Sequence, residues 1–357
     1  PHPTPPHLTS SHLTTSPCSH RRGKPVLPLE AGGYNKVAVL GPWADSLRLI
    51  TGGWTVSWQG PTRDDDLPFG TTIVGALRKV LGSGVTVEYH AAIDDQGREV
   101  ESYEDAVDAA RTSDLVVVVI GEPVYTEKPG DIPDLSLPEG MQDLLLQVTS
   151  GSVPVVLVMT MGRPRVLGQA GHRVDAVVWS PLPGPEGGRA IAEVLVGQTN
   201  PSGRLPLTWP RFSATFMPYY RKFSQNPWYS PQWEFGRGLS YSNFTYFNLQ
   251  LSHTRLVVGE TQRVTVAVHN LGPMAGAHTV LVFVRCWVRS VTPEMKLLKA
   301  FDKIFLQAGQ RADLEFTLGP ESFTYTDENL ATATAQGNHS VYVGESRQDF
   351  FIVDEQA

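Results

Sequence analysis

The sequence has few cysteines, no long hydrophobic run and no excess of basic residues. Its 357 residues include two cysteines, Cys18 and Cys286, which are too few and too far apart for a disulfide framework. No apolar stretch approaches the roughly 20 residues that a transmembrane helix needs. The formal net charge is -7 and no basic stripe is present. We therefore expect neither nucleic acid nor a membrane as a partner.

Patterns that are typical of metal, nucleotide or serine-hydrolase sites are also missing from the sequence. The ten histidines are scattered, and no spacing of His, Cys and Asp predicts a metal site. No Gly-x-Gly-x-x-Gly follows the first strand-like segment, which argues against a nucleotide-binding α/β domain. No Gly-x-Ser-x-Gly elbow supports Ser-His-Asp catalysis. We expect no cofactor and no metal.

Strand-like and helix-like patterns alternate between about residues 36 and 208. The strand-like segments are Lys36–Leu40, Val85–Tyr89, Leu115–Ile120, Val153–Met159 and Asp175–Trp179. The segments with helical spacing are Thr71–Leu81, Tyr103–Thr112, Glu139–Val148 and Gly187–Val196. This alternation predicts a mostly parallel sheet with helices on both faces, an α/β sandwich domain.

The pattern changes after about residue 246, where helical spacing disappears and short strands recur. The strand-like segments are Phe247–Leu251, Arg263–His269, Thr279–Val288, Lys296–Phe305, Ala312–Leu318 and His339–Val343. Short strands separated by turn residues predict an antiparallel, all-β sandwich of the immunoglobulin or fibronectin type III kind. We predict a disordered tail over 1–30, the α/β domain over 31–209, an aromatic and proline-rich connector over 210–245, and the β-sandwich over 246–357.

The candidate site follows the most apolar of the predicted strands. Leu115–Ile120 is apolar without alternation, which is typical of a central strand that is covered on both faces. The next segment, here called the acidic loop (Gly121–Asp131), carries Glu122, Glu127 and Asp131. Loops at the carboxyl ends of parallel strands are where open α/β sheets place ligands. Two carboxylates at one anomeric carbon make a glycosidase, and one side of such a pair is expected here.

Several motifs resemble the second half of a glycoside hydrolase family 3 enzyme, in the order in which that family has them. The clearest are Asn200-Pro-Ser-Gly-Arg-Leu-Pro-Leu-Thr-Trp-Pro210 and Phe235-Gly-Arg-Gly-Leu-Ser-Tyr241. The others are Val39–Asp45, the tryptophan loop (Gly52–Gly60), Gly162–Pro164, Pro183–Gly188, Lys299–Lys303 and Phe323–Glu328. The resemblance covers about residues 25–353. It implies a β-glucosidase, exo-β-glucanase or β-xylosidase with an α/β sandwich and a terminal fibronectin type III-like domain.

The resemblance also implies a domain that the sequence does not show. In the family a (β/α)₈ barrel precedes the α/β sandwich and carries the aspartate nucleophile. A barrel needs about 200 to 250 residues, whereas some two dozen precede the matched region. We expect the barrel to be missing and the chain alone to be inactive.

By resemblance, Glu127 matches the acid/base of the family and would protonate the glycosidic oxygen by a retaining mechanism. The alternative is a solvated glutamate that pairs with Lys128 or Arg165. Glu122 is the rival for the acid role, and its place at the strand end predicts that it orients the loop through backbone N–H groups. We expect Asp131 to cap a turn before Ser136.

Aromatic residues near this loop are candidates for substrate binding, because aromatic faces stack on the C–H faces of sugars. By resemblance, Trp58 lines the site for the leaving sugar. Trp54 and Tyr125 are further candidates, although core packing is the favoured interpretation for Trp54. Without a barrel we expect Trp54, Trp58 and the Tyr125 loop to form an exposed apolar patch. We expect Arg163 and Glu186 to stabilise loops.

The expected partner is a β-linked glucoside or oligosaccharide, and the sugar specificity stays open. The competing interpretation is a non-catalytic carbohydrate-binding or adhesion module that is derived from such an enzyme. Residues 1–24 have no apolar core of the kind that a signal peptide needs, so we expect none there. The resemblance nevertheless implies a secreted or cell-wall protein. Two Asn-x-Ser/Thr sites, Asn243 and Asn338, would then be candidates for glycosylation.

Overall fold

The computed structural model describes residues 25–30, 32–214 and 217–354. These residues form two compact units. The first contains the chain up to Thr199 and a short segment that begins at Trp209. The second contains Asn200–Thr208 and the described chain from residue 217 onward. The following description treats each unit by itself.

The segment that we expect to be disordered, residues 1–30, falls into two parts. Residues 1–24 lie outside the described residues, whereas residues 25–30 belong to the first unit. Leu27 and Leu29 are buried, and the Leu29 amide donates a hydrogen bond to the Leu195 carbonyl (2.8 Å). Two apolar side chains thus hold this short segment on the α/β unit.

A five-stranded sheet forms the centre of the first unit, and every neighbouring pair of its strands is parallel. Its strands are β1 (Lys36–Leu40), β2 (Thr86–His90), β3 (Leu115–Gly121), β4 (Val155–Thr160) and β5 (Ala176–Trp179). Every residue of β3 and β4 is buried. Helices cover both faces of these strands, which explains why their sequences do not alternate. The predicted α/β domain is confirmed.

Four described α-helices lie between these strands and a fifth follows β5. They are α1 (Leu47–Thr51), α2 (Ile73–Leu81), α3 (Tyr103–Thr112), α4 (Glu139–Val148) and α5 (Gly187–Leu195). Helix α2 packs with α5, and α3 packs with α4. The Thr72 hydroxyl caps the start of α2 by accepting a hydrogen bond from the Gly75 amide (3.1 Å). Gly82 ends that helix at φ 78°, a conformation that glycine adopts without strain.

The strand order, β2-β1-β3-β4-β5, places a switch point between β1 and β3. The chain first moves to one side of β1 and then returns to build the rest of the sheet on the other side. At such a point the loops leaving two neighbouring strands diverge and leave a crevice at their carboxyl ends. The acidic loop, which follows β3, therefore starts at the edge where doubly wound sheets bind ligands.

The second unit is a β-sandwich, as the sequence predicts. Its ten strands are β6 (Phe244–Leu251), β7 (Arg255–Val257), β8 (Gln262–Asn270), β9 (Gly276–Cys286), β10 (Leu297–Leu306), β11 (Arg311–Leu318), β12 (Thr324–Thr326), β13 (Thr332–Thr334), β14 (Gly337–Val343) and β15 (Ser346–Val353). The larger sheet has the order β10-β9-β14-β15-β7, the smaller has the order β11-β8-β6, and β12 pairs with β13 as a separate two-stranded ribbon. All pairs are antiparallel except β15 with β7.

Two strands of the larger sheet, β7 and β15, are not predicted by the sequence. Strand β15 begins with four polar residues, so its alternation is visible only at its end, where Phe350 and Ile352 are buried and Phe351 is exposed. The side chains of Phe350 and Ile352 join a core that is made mainly of valine and leucine from both sheets. Burial on one face of a half-polar strand explains why the pattern is weak.

No α-helix in the described part of the chain has both the length and the apolar character needed to cross a lipid bilayer. Residues 25–30, 32–214 and 217–354 contain no group of three or more His, Cys, Asp or Glu side chains that could hold a metal ion.

Candidate functional site

The acidic loop is fixed to the sheet where β1 and β3 end. Gly41, which follows β1, has φ 101°, and a Cβ there would lie 2.0 Å from the Val119 carbonyl oxygen of β3. The side chain of Trp43 is fully buried, and its Nε1 donates to the carbonyl of Glu122 (3.1 Å). Glycine at position 41 is therefore required for the close approach of the two strand ends, from which the acidic loop starts.

Glu122 is buried, with 3% of its surface exposed, and is bound by three side chains. Arg165 Nη1 lies 2.7 Å and Arg163 Nε lies 2.9 Å from its Oε1. The Tyr125 hydroxyl donates to its Oε2 (2.9 Å). The prediction that Glu122 orients the loop through backbone N–H groups is wrong, because side-chain donors hold this carboxylate. A buried carboxylate persists only when it is paired and hydrogen-bonded in this way.

The two arginines reach Glu122 from the loop that follows β4. The Val166 amide donates to the Leu135 carbonyl (2.8 Å), which fixes the end of this loop, and Arg163 and Arg165, two positions apart, both bind Oε1 of Glu122. Arg165 Nε also donates to the Leu135 carbonyl (3.0 Å). The sequence analysis expects Arg163 to stabilise loops, which these contacts confirm, but it does not connect either arginine with Glu122. Their spacing is the signal that could have done so.

Tyr125 is half-buried in the same network. The Arg163 guanidinium lies over its ring, 4.3 Å from the centroid. Burial, and then the charge and hydrogen bond of Glu122, raise the pKa of Tyr125 above its usual value. Its hydroxyl therefore keeps its proton and remains a donor to Glu122 at neutral pH.

Glu127 has the opposite environment. It is exposed, and among the residues that the structure describes its carboxylate has no ion pair or hydrogen bond. The alternative that pairs Glu127 with Lys128 or Arg165 is wrong, because Arg165 binds Glu122 and Lys128 has no ion pair with a described residue. The Glu127 carbonyl accepts from the Gly130 amide (2.8 Å), which closes a turn at this end of the loop.

The turn after the acidic loop is capped by a different aspartate from the one predicted. Asp134 Oδ1 accepts from the Ser136 amide (2.8 Å). Asp131 is exposed and its backbone amide bonds to the Lys128 carbonyl (3.0 Å). Asp134 lies two residues before Ser136, the spacing of an Asx turn, whereas Asp131 lies too far away.

The tryptophan loop presents both of its indoles to solvent. Trp54 is 69% exposed and Trp58 is 50% exposed. The predicted exposed patch is confirmed for these two indoles but not for Tyr125, which is half-buried, and the favoured core position of Trp54 is wrong. The glycines of this loop take the inner side instead. A Cβ on Gly53 would lie 2.1 Å from Thr126 Cγ2, and one on Gly60 would lie 2.5 Å from Val124 Cγ1. Only glycine fits against the acidic loop, so the tryptophans face outward.

One side-chain contact joins the two loops directly. Gln59 Oε1 accepts a hydrogen bond from the Thr126 amide (3.1 Å), next to Glu127. The sequence analysis does not identify Gln59, and its sequence context holds no signal for this contact. The structure thus brings the tryptophan loop against the residue that precedes Glu127.

Backbone strain is concentrated in these loops. The structure describes seven non-glycine residues with positive φ. Three of them lie here: Trp54 (61°), Val56 (66°) and Glu127 (47°). A fourth, Leu182 (41°), follows β5 and lies against the tryptophan loop, where a Cβ on Gly52 would be 2.9 Å from its Cδ1. Each such conformation costs on the order of 1 to 3 kcal/mol and persists only where the surroundings impose it. Such strain is typical of functional sites, and here it coincides with the exposed carboxylate and the exposed indoles.

Two family models match the chain. The C-terminal domain of glycosyl hydrolase family 3 matches residues 22–241. A fibronectin type III-like domain matches residues 278–347.

Curated relatives and solved structures agree with these matches. A lysosomal beta glucosidase of Dictyostelium discoideum is 36% identical over 92% of this chain and 42% of the relative. A beta-xylosidase of Formosa agariphila is 28% identical over 90% of this chain and 46% of the relative. The structure of a beta-glucosidase from Listeria innocua in complex with glucose has a TM-score of 0.78 at 27% identity, over 92% of this chain and 47% of that one. The chain spans about half the length of the curated relatives it matches.

Proposed function

The chain belongs to glycosyl hydrolase family 3, and we propose that it carries the proton-donor side of the active site of a β-glucosidase-type glycosidase. In this proposal Glu127 is the general acid/base. The observation that carries it is the environment of this carboxylate. Glu127 is exposed and unpaired among the described residues, at strained φ, on a loop that is anchored by buried ion pairs.

The proposed mechanism retains the anomeric configuration. As the glycosidic bond breaks, the protonated Glu127 gives its proton to the leaving oxygen, while a carboxylate about 5 to 5.5 Å away bonds to the anomeric carbon. The Glu127 carboxylate then takes a proton from the water that attacks this carbon and releases the sugar. We expect the nucleophile on a barrel domain outside the described residues, by resemblance to the family.

We propose that Trp58 forms a platform for the leaving sugar, with Trp54 and Tyr125 as further contacts. The exposure of both indoles supports this role, because a ring must be free to stack on a sugar face. One ring face and the hydroxyl of Tyr125 are already engaged, since Arg163 lies over the ring and the hydroxyl donates to Glu122.

The substrate is proposed to be a β-glucoside or a related β-linked oligosaccharide. The relatives named above include a beta glucosidase and a beta-xylosidase, and barrel residues would decide between the two sugars. We also propose that the whole protein is secreted, or otherwise acts outside the cytoplasm. The name of the lysosomal relative supports this location.

The two candidate glycosylation sites differ in the folded chain. Asn243 is exposed and directly precedes β6. Asn338 lies inside β14, and its Oδ1 is buried. If the protein passes through a glycosylating compartment, we expect a glycan at Asn243 and none at Asn338.

A non-catalytic carbohydrate-binding module is the second candidate function, and the two exposed tryptophans favour it. Indole fluorescence during a titration with laminari-oligosaccharides separates the two functions. Saturable quenching by the chain alone supports the module. If the fluorescence of the chain alone does not change, the result supports the enzymatic function, in which the barrel is needed for binding.

The test of the enzymatic proposal is reconstitution. We expect the 357-residue chain alone not to hydrolyse an aryl β-glucoside. A chimera that joins it to the amino-terminal half of the Listeria innocua enzyme should do so. In the chimera, Glu127→Gln should lower kcat/KM for a disaccharide by about 10² to 10⁴, the usual contribution of a general acid.

The matched control is Glu139→Gln, which changes an exposed glutamate at the start of α4. This variant should keep the activity of the chimera. Robust turnover by the chain alone would refute the division of the site between two domains. An active chimera that is insensitive to Glu127→Gln would refute the acid assignment.

A further inference from the structure

Arg163 contacts both ends of the segment that carries Glu127, although it belongs to a different loop. It follows β4, and its Nε bonds to Glu122 at the start of the acidic loop. Its Nη2 donates to the carbonyl of Gly130, beyond Glu127 (2.6 Å). One guanidinium thus spans the gap between the two ends of the loop.

The acidic loop packs against this arginine, whose side chain keeps 24% of its surface exposed. The Tyr125 ring lies against the guanidinium. A Cβ on Gly130 would lie 2.1 Å from Tyr125 Cδ2, so the two ends of the loop are in direct contact. Residues 126–129 therefore form a short bridge between two fixed points, and Glu127 lies within this bridge.

The restraints within this bridge are on its backbone. The Thr126 amide bonds to Gln59, and the carbonyls of Glu127 and Lys128 accept from the amides of Gly130 and Asp131. The Glu127 side chain has no partner among the described residues. Glu127 nevertheless has φ 47°, a conformation that a glutamate does not adopt freely. The fixed ends impose this conformation, and Arg163 is the residue that ties both ends together.

We infer that Arg163 is a positioning residue for the proton donor: it holds the direction of the Glu127 carboxylate by clamping Glu122, Tyr125 and Gly130. The inference rests on the proposed role of Glu127 as acid/base. Arg165 has a different task, because it joins Glu122 to the Leu135 and Ser136 carbonyls and does not contact the end of the loop at Gly130.

The clamp requires a guanidinium. Nε and Nη2 of Arg163 point at two acceptors on opposite ends of the loop, and the planar group also stacks on a ring. A lysine ammonium is a single point charge and does not reproduce this fork. Arg163→Lys should therefore keep the charge but lose the clamp.

Leaving-group dependence distinguishes a positioning role from a general loss of structure. The 2,4-dinitrophenolate group of a 2,4-dinitrophenyl β-glucoside leaves without protonation, whereas the leaving sugar of a disaccharide must be protonated by the acid. In the chimera, Arg163→Lys should lower kcat/KM for the disaccharide on the order of 10², since a misplaced catalytic group costs about this much. Cleavage of the activated glucoside should stay close to the parent rate. The control is Arg173→Lys, an exposed arginine of the same unit, which should change neither rate.

The outcomes separate this inference from the proposal on which it rests. If Glu127→Gln shows the leaving-group dependence and Arg163→Lys does not, the inference fails alone. If Glu127→Gln lacks the dependence, the acid assignment itself fails. Equal losses with both substrates in Arg163→Lys would also overturn the positioning role.

A second measurement uses the chain without any barrel. An endoprotease specific for glutamate can cut the bond between Glu127 and Lys128 once this bond becomes mobile. Arg163→Lys should speed this cut about tenfold or more, because local opening controls cleavage. The cut after Glu101, exposed elsewhere in the same unit, should keep its rate. Unchanged cleavage after Glu127 would overturn the clamp.

Discussion

The two halves of the acidic loop have opposite environments, although their glutamates are five positions apart. The loop base (Gly121–Tyr125) holds Glu122 in a buried network with two arginines and a tyrosine. The loop tip (Thr126–Gly130) holds Glu127 in solvent without a partner among the described residues. The difference shows that burial and pairing make one carboxylate structural, while exposure leaves the other without a structural contact, as its proposed role requires.

The largest effect on stability is expected for a substitution in the loop base. Glu122→Ala leaves two arginines without their buried partner, which should lower the free energy of unfolding by about 3 to 5 kcal/mol. Urea unfolding followed by circular dichroism at the helix band reports on the α/β unit, because every described α-helix lies there.

The matched control for this prediction is Glu127→Ala, the same substitution at the loop tip. It should change the free energy of unfolding by no more than about 0.5 kcal/mol, since it removes no contact. Equal effects of the two substitutions would erase the contrast between base and tip.

A smaller effect on stability is expected when the hydroxyl of Tyr125 is removed. Tyr125→Phe removes one hydrogen bond to a charged group, which should cost about 1.5 kcal/mol at neutral pH. The pKa of Tyr125 is raised in the folded chain, so its contribution is fully present below the unfolded pKa near 10. It is lost as the pH rises through the folded pKa.

Urea unfolding of the parent and Tyr125→Phe over a pH series measures this contribution as a difference. Other tyrosines with raised pKa values contribute equally to the pH dependence of both proteins, so their contributions cancel in this difference. A difference that stays constant far above pH 10 would show that the hydroxyl does not belong to the network of the loop base.

The smallest effect on stability is expected for the tryptophan that lies near the loop tip. Trp58→Ala should change the free energy of unfolding by less than about 0.5 kcal/mol, because its indole is half exposed. Trp43→Ala, at a fully buried indole that bonds to the loop base, should cost about 3 to 5 kcal/mol. A large loss for Trp58→Ala would mean that this indole is structural, against its proposed role in sugar binding.

Element order and the main strands follow from the sequence alone. Strand β1, helix α3 and helix α4 have the predicted bounds, because their apolar periods are complete and their ends carry turn residues. Strand β15 does not follow, since its polar first half conceals the period. The family was identified from the resemblance of short motifs. Most of these motifs are loop segments in a fixed order, whereas the apolar strands would fit many α/β proteins.

The roles of individual side chains in the site required the tertiary structure. By residue pattern the three acids of the loop are equivalent, and only the resemblance singles out Glu127. The difference in their surroundings arises from residues that are distant along the chain. Arg163 and Arg165 neutralise Glu122 across about 40 positions because β3 and β4 are neighbours in the sheet. In the same way, glycines against the acidic loop turned Trp54 outward, against the expectation from its apolar character.

The sequence by itself therefore determined the two-part architecture, the family and the loop that holds the candidate site. Periodicity and turn chemistry are local properties, and they are complete in the amino-acid order. Only the tertiary structure decided which carboxylate is buried, which is free, and which arginine spans the loop. Burial and charge pairing depend on contacts between strand ends that the fold alone brings together.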